Sequence, residues 1–555
     1  MESSKTVIYQ VFTRLYAHRS QARKPFGTIE ENGCTKMNDF TPTLLKQIRE
    51  LGATHVWYTG IIRHATTTDY SRYGIPRQHS AVVKGRAGSP YAITDYYDVD
   101  PDLAVDVKRR MEEFEKLLRR THRAGLKVVI DFVPNHVARQ YESIAKPEGV
   151  RDLGEDDRSE LGFDLQNNFY YCPGQTFAPY IDLYHGEAEP YKECPAKATG
   201  NDCFNNAPGQ NDWYETVKLN YGVDYYAGQT PSTLHLPPST LLPSTWQKML
   251  DILLFWASKG IDAFRCDMAE MVPAAFWAWA TQKVREQYPD VVFIGEVYNP
   301  QEYRHYIASG FDYLYDKVGM YDVLRDVLCH RRDTAAITWA WQQTDDIRQH
   351  MLYFLENHDE QRLASDFFVG SGERGLPALV VALLLQQNPF MLYAGQEWGE
   401  RGMDAEGFSG IDGRTTIFDY WSLSADRDNT LSAYYRRVLN IARSEKAVAE
   451  GLTFDLMYVN QQCRRQYAFL RKAGKQSLLV VANFDDAPAT VSLTIPSHAF
   501  DYLSIAEGSH SCVDLLTDAN GVLSLRRDAP VGLLATSGAD DVIRLAPRQS
   551  VVLRF

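Results

Sequence analysis

Short runs that are apolar throughout alternate with longer amphipathic stretches over most of the chain. VIYQVF (Val7 to Phe12), HVWYTG from His55 and KVVIDF from Lys127 have the length and composition of buried strands. Between the first two, TPTLLKQIREL places Leu44, Leu45, Ile48 and Leu51 on one helical stripe. Thr41 is placed to cap that helix, Pro42 suits its first turn, and Gly52 ends it. A second helix is predicted from about Asp106 to Ala124, with Val107, Met111, Phe114 and Leu118 at helical spacing and a stop at Gly125. Farther on, a helix carrying Trp246, Leu250, Leu253 and Trp256 precedes a strand ending near Arg265, and one from about Phe276 to Gln287 precedes VVFIGEV. FDYLYD, MLYFLEN and PFMLYAG supply three more strands, which makes eight from Val7. Strands apolar on both faces, each followed by a helix, predict an α/β fold, a (β/α)8 TIM barrel with its active site at the carboxyl ends of the strands.

The alternation breaks twice. From about Val137 to Tyr214 the chain is rich in Asn, Asp, Gly, Pro and Tyr and lacks periodicity, and a connection of that length is either functional or folds as a subdomain. After about Ala449 the pattern becomes two-residue alternation in segments such as SLLVVANF and ATVSLTI, which predicts a C-terminal antiparallel β-sandwich. The expected division is a first barrel part at 1–136, an insertion at 137–214, a second barrel part at 215–449 and the sandwich at 450–555.

Charged residues stand at the ends of these buried strands. In GIDAFRCDMAE, Arg265 and Asp267 lie two apart and so point the same way. A guanidinium at that distance favours the ionised carboxylate, which a nucleophile needs. An isolated Arg-x-Asp is more often a structural ion pair. Here, however, Glu296 in FIGEVY and Asp359 in FLENHD also end apolar strands, and three such acids are hard to account for as ordinary pairs.

DFVPNH (Asp131 to His136), GIDAFRCD (Gly260 to Asp267), the Gly-Glu-Val around Glu296 and ENHD (Glu356 to Asp359) together resemble, in order and character, the motifs of the α-amylase family of retaining glycoside hydrolases. The resemblance covers about the whole chain. It implies that the unpatterned stretch is that family's domain B, inserted after the third barrel strand. It further implies Asp267 as nucleophile, Glu296 as general acid/base and Asp359 as the third acid, which binds sugar hydroxyls. Arg265, His136, His358 and Tyr91, in SPYAITDYYDVDP, are its implied substrate-binding residues. Retention requires the two reacting carboxyls to lie about 5 to 5.5 Å apart, which adjacent strands permit. Glu356 departs from the hydrophobic or small residue expected before Asn357, and Lys218 stands where many members have Asp. Gln396 and Glu397, in GQEWG, and the later DGRTTIFDY match positions that shape the barrel mouth.

No cofactor is required by this reading. Calcium stays open: Asn135 matches an asparagine that ligates calcium in many amylases, but its amide could equally fix a loop. MAEM follows Asp267, where calcium-dependent members carry a Lys-His pair. The net charge of −13 argues against nucleic acid as partner and suits an uncharged ligand. The 33 Tyr, 25 Phe and 10 Trp agree with a glycan-binding cleft. No apolar run is long enough for a membrane span and no export signal is visible, so the eight scattered cysteines are read as reduced thiols in a cytoplasmic protein. Among them, Cys172, Cys194 and Cys203 fall in one irregular region, where pairing or metal binding is the alternative. The expected function is cleavage of α-glucosidic bonds, chiefly α-1,4, in malto-oligosaccharides or starch-like glucans. A transglycosylase would use the same residues, and a non-catalytic relative would be expected to lack one of the three acids.

Overall fold

The computed structural model describes residues 5–17, 22–234, 242–402, 411–424, 427–535 and 538–555. Eight parallel strands close a barrel: β1 (Val7–Phe12), β2 (His55–Thr59), β3 (Lys127–Phe132), β4 (Ala263–Cys266), β5 (Val292–Gly295), β6 (Tyr313–Tyr315), β7 (Met351–Phe354) and β8 (Phe390–Tyr393). Their order around the barrel follows the sequence, and β8 pairs with β1 through Val7 and Phe390. Outside lie helices, among them α1 (Pro42–Leu51), α2 (Arg110–Arg123), α3 (Ser244–Ser258) and α4 (Ala274–Gln287). In α1 the Thr41 hydroxyl accepts from the Leu44 N–H, Pro42 opens the first turn, and Leu45, Ile48 and Leu51 are buried. The second expected helix starts as a 3₁₀ turn, Val107–Arg109, which the Asp106 side chain caps before the α-helix proper.

Side chains that point into a barrel recur every second residue. One interior cluster is apolar: Ile8, Trp57, Val129, Ala263, Ile294, Leu352 and Met391 fill it. Two residues further along β1, β3, β4 and β5 the same inward direction is taken by Gln10, Asp131, Arg265 and Glu296. Register places Arg265 directly beside Asp131 on β3 and beside Ile294 on β5. The packed layer therefore ends where the charged layer starts, at the carboxyl ends.

Between β3 and α3 the chain makes its long excursion. The pair formed by His136–Ala138 and Thr216–Lys218 closes the base of this excursion, and Tyr171–Cys172 pairs with Ala196–Lys197 inside it. A small apolar cluster including Phe177, Tyr191 and Tyr214 packs it against Ala81 and Val82. All eight cysteines, including Cys172, Cys194 and Cys203, are unpaired.

The C-terminal part contains an eight-stranded antiparallel sheet and two short two-stranded sheets. Its strands are β9 (Leu452–Asp455), β10 (Gln466–Ala473), β11 (Gln476–Asn483), β12 (Gly508–Asp514), β13 (Asn520–Leu525), β14 (Gly532–Ala535), β15 (Gly538–Asp540) and β16 (Ser550–Arg554), in the order β9-β10-β11-β16-β12-β13-β14-β15. β11 is buried on both faces and shares one continuous apolar core with the helices around the barrel. Arg471 on β10 donates to the carbonyls of Leu385, Ala447 and Val448 across that boundary.

The loop after β2 carries Tyr91, and glycine sets its course. Gly88 has φ +73°, and a Cβ there would lie 1.7 Å from the Ala65 carbonyl oxygen. Gly74 in the same long loop has φ +78° but nothing within 4 Å of a built Cβ. Gly88→Ala is therefore expected to cost roughly 3 kcal/mol or more, and Gly74→Ala about 1 kcal/mol, the conformational penalty alone. Denaturant midpoints of the two variants at equal slope check this.

Candidate active site

At the floor of the site is Arg265, its side chain 1% exposed. Its Nη1 donates to Asp267 Oδ1 at 2.7 Å, and its Nη2 lies 2.9 Å from Glu296 Oε2. One guanidinium thus holds the acids of β4 and β5 through its two terminal nitrogens. Its Nε donates to the Tyr315 hydroxyl at 3.3 Å, and Asp131 Oδ1 is 3.8 Å from Nη1. The rings of Trp57, Tyr91 and Tyr315 surround it with centroids 5.2 to 5.5 Å from the guanidinium carbon. These faces exclude water while contributing favourable ring charge.

A single cation faces more negative charge than it can neutralise. Arg265 pulls the Asp267 carboxyl down as expected, but burial, with Glu296 and Asp359 adding to it, outweighs that pull and holds the carboxyl well above its usual range. Asp131, which accepts from the Trp57 indole N–H, is pushed up to about 6, mainly by burial. Asp359 is pushed up to about 7, by burial first and then by the Glu296 charge. Its side chain, 39% exposed, opens onto the cavity, so solvent tempers the burial contribution and the Glu296 charge is the firmer cause. Asp131, Asp267 and Asp359 are thus all shifted toward the protonated form, chiefly by burial.

Glu296 is oriented from both sides. Its Oε2 accepts the Met268 N–H at 2.7 Å, and its Oε1 accepts the Tyr298 hydroxyl at 2.6 Å. His358 Nε2 is 2.6 Å from the Tyr91 hydroxyl and 3.1 Å from Asp359 Oδ2, with its ring stacked on Tyr91 at 5.3 Å. Its Nδ1 meets the Gln10 amide at 2.9 Å. Burial and the nearby Arg265 hold His358 well below its usual range, so it is neutral. His136, pushed down to about 3 by burial and by Lys218, is neutral too, and its ring packs 5.3 Å from that of Trp213.

Asp267, Glu296, Asp359, Tyr91, His136 and His358 all line one cavity of about 550 Å³. Arg265 lies beneath it. Trp213 from the excursion, Tyr298, Val318 and Phe418 add aromatic and apolar surface, and Lys84, Lys317 and Arg414 add charge at the walls. Arg414 and Phe418 belong to DGRTTIFDY, which the sequence places at the barrel mouth; the other five did not stand out, although Tyr298 follows Glu296 by only two residues. Val318 belongs to a π-helical turn, Lys317–Tyr321, an irregularity often found at sites. Glu356, the departure from the motif, is buried, salt-bridged to Arg362 at 2.9 Å, and accepts the Leu363 N–H. Gln396 and Glu397 are buried as well, bonded to the hydroxyls of Tyr435 and Tyr9.

Asn135 sits beside the cavity with its oxygen already engaged. Its Oδ1 accepts from Lys218 Nζ at 2.5 Å and its Nδ2 donates to the Gly200 carbonyl at 2.8 Å. Lys218 Nζ also lies 2.7 Å from Asp202 Oδ1. Calcium takes 6 to 8 oxygen ligands at 2.3 to 2.6 Å, and an ammonium in their midst does not fit that demand. Among the described residues no group of three or more His, Cys, Asp or Glu side chains is arranged to hold a metal.

The raised carboxyl of Asp359 has a consequence for stability. Between about pH 4, where the unfolded chain ionises, and about pH 7, the folded chain holds a proton that the unfolded chain releases. Stability therefore falls as pH rises through that window. Asp359→Asn removes this loss, so its melting temperature should exceed the parent's at pH 8 and match it near pH 4. Paired thermal melts at the two pH values test the sign.

Known proteins agree with this architecture. The sequence profile of the family described as alpha amylase, catalytic domain, matches residues 42–435. The alpha-amylase MalA of Haloarcula japonica is 23% identical over 90% of this chain and 58% of its own length. Neopullulanase 2 of Thermoactinomyces vulgaris is 22% identical over 89% of this chain and 72% of its own. Among solved structures, a maltogenic alpha-amylase, AmyB, from Thermotoga neapolitana superposes with a TM-score of 0.64 at 20% identity over 99% of this chain and 98% of that one, a likeness of fold. Among the described residues no helix is long and apolar enough to cross a membrane. With the family profile laid over the closed barrel and its charged floor, the chain belongs to the α-amylase family and is a glycoside hydrolase of that family.

Proposed function

We propose that this enzyme cleaves α-1,4-glucosidic bonds in malto-oligosaccharides and starch-like glucans, with retention, through a glycosyl ester on Asp267. The observation that carries this reading is the placement of Asp267 and Glu296 on the two terminal nitrogens of one buried guanidinium, facing a cavity that Asp359 also lines. In the first step Asp267 attacks the anomeric carbon while Glu296 gives its proton to the departing glycosidic oxygen. In the second, Glu296 takes a proton from water, which attacks the same carbon and releases Asp267. Asp359 and His358, tied to each other, and His136 across the cavity are suited to grip hydroxyls of the sugar being cleaved. The neutral state of both histidines lets each ring donate or accept without adding charge. The Tyr91 ring, close to the Arg265 guanidinium, supplies a flat face for that sugar.

Chain length is the second part of the proposal. Ala92, directly after Tyr91, packs with Ala65, Val83 and Ala138 in a buried apolar cluster and presents nothing to the cavity. A polar group there would be needed to grip the end of a chain and reject longer ones, because such discrimination depends on groups that demand a partner. Trp213, Val318 and Phe418 line the same cavity as the three acids, surface suited to further glucose units. The reading is therefore an open cleft that reaches internal bonds.

A time course with maltoheptaose tests the reaction. Shorter products alone support hydrolysis, longer ones indicate transfer to a sugar acceptor, and no products would mean a binding protein. Asp267→Asn should retain the fold and fall below about a thousandth of parental activity. Glu296→Gln should lose roughly 10²- to 10⁴-fold on maltoheptaose yet far less on α-glucosyl fluoride, whose leaving group needs no proton. Equal losses on the two substrates would remove Glu296 from that role. On the open-cleft reading kcat/KM for maltohexaose exceeds that for maltose by about tenfold or more, since remote contacts contribute only on the longer chain. Preference for maltose, with glucose as the sole early product, would overturn it.

A further inference from the structure

The excursion after β3 meets the barrel at a junction whose chemistry centres on Lys218. Its side chain is 2% exposed, yet it carries a charge that must be met. Asp202 meets it from the loop at 199–203 at 2.7 Å, and the Asn135 amide oxygen meets it from the end of β3 at 2.5 Å. The Tyr225 ring lies 5.7 Å from the ammonium. Lys218 also stands opposite His136 in the short antiparallel pair, and its N–H donates to the Ala198 carbonyl. Its polar head and its backbone thus clasp the segment 198–203 from two directions.

That loop presses on the cavity wall. A Cβ on Gly200 would lie 2.9 Å from His136 Cβ and 2.7 Å from Thr216 Oγ1, so the backbone runs against the histidine. Asn135 Nδ2 is 3.1 Å from His136 Nδ1 while it donates to the Gly200 carbonyl. Asp202 itself adopts a left-handed φ of +64°, uncommon for a residue with a Cβ, and it holds that conformation where its carboxylate reaches Lys218. A chain of contacts therefore runs from the ammonium through Asn135 and Gly200 to the His136 ring at the cavity.

We propose that the Lys218 ammonium is the resident cation of this junction: it pins the loop at 199–203 to Asn135 and so sets the position of His136, in place of a bound divalent ion. A divalent cation at Asn135 would have to displace the ammonium, with which it shares the same two side-chain oxygens. Lys218 is a positioning residue. It touches no part of the cavity and acts through its neighbours. The inference concerns the junction and is independent of which glucan the enzyme prefers.

The test combines calcium, stability and a mutant cycle on the full chain. For the parent, melting temperature in EGTA and in millimolar calcium should coincide, and calorimetric titration with calcium should show no heat of binding at the site. A calcium-dependent rise in the parent's melting temperature that Lys218→Met abolishes would overturn the proposal. Lys218→Met should itself lower the melting temperature on the order of 5 °C, because it leaves Asp202 without its partner. Asp202→Asn serves as the milder variant should Lys218→Met fail to fold, with a smaller loss in the same direction. For positioning, kcat/KM on maltoheptaose should fall roughly tenfold in Lys218→Met or, in the milder case, severalfold in Asp202→Asn. That fall should disappear when either change is made in a His136→Ala background. The same fold-loss with and without His136 would show that the junction supports the fold generally and does not act through this histidine.

Discussion

A buried guanidinium with more carboxylates than it can neutralise is the constraint around which this molecule is arranged. Arg265 needs the closed barrel to bring Asp131, Asp267 and Glu296 to it from three adjacent strands, and it needs aromatic faces to exclude water from the contact. Removing an ion from water is costly, and the cost is offset only when partners stand at hydrogen-bond distance. In the reaction proposed above, the excess negative charge does chemical work, since a site that must both donate and accept a proton cannot be fully ionised. The shortage of positive charge at the floor and the upward shift of Asp131, Asp267 and Asp359 are two sides of one arrangement.

The apolar layer below makes that arrangement rigid. Inward side chains change from Val129, Ala263 and Ile294 to Asp131, Arg265 and Glu296 within one strand repeat. The loop glycines play a related part, since Gly85 and Gly88 let the backbone of the Tyr91 loop lie against Phe418 and Ala65 where any side chain would collide.

Much of this was legible in the sequence because it is local or periodic. Apolar strand runs, helical stripes such as Leu45, Ile48 and Leu51, and acids placed directly after apolar runs are read from neighbours within a few positions. The barrel and the family follow from those signals, and Asp267, Glu296 and Asp359 meet at one cavity as their strand-end positions suggest. What stayed hidden depends on contacts between distant segments. Trp213 reaches the cavity through an excursion with no periodicity, and the bond between Lys218 and Asp202 joins residues sixteen apart through an irregular loop. Glu356 looked out of place in its motif because its partner, Arg362, lies on the following turn, where nothing marks it as buried. The direction of the Asp267 shift was missed for a different reason: Arg265 is visible in sequence, whereas the burial that outweighs it is a property of the assembled fold.

The strand order of the C-terminal sheet bears on how the chain is made. Strand β16 (Ser550–Arg554) lies between β11 and β12, in the middle of the sheet, and β11 shares its core with the helices outside the barrel. During synthesis Asp267, Glu296 and Asp359 emerge from the ribosome long before the residues that fill this central slot. Until those arrive, β11 carries an unpaired edge and an apolar face beside a nearly finished barrel, a surface prone to association with other chains. The centre of the sheet, and the core it shares with the barrel helices, is thus filled only after β12 to β15 have been made.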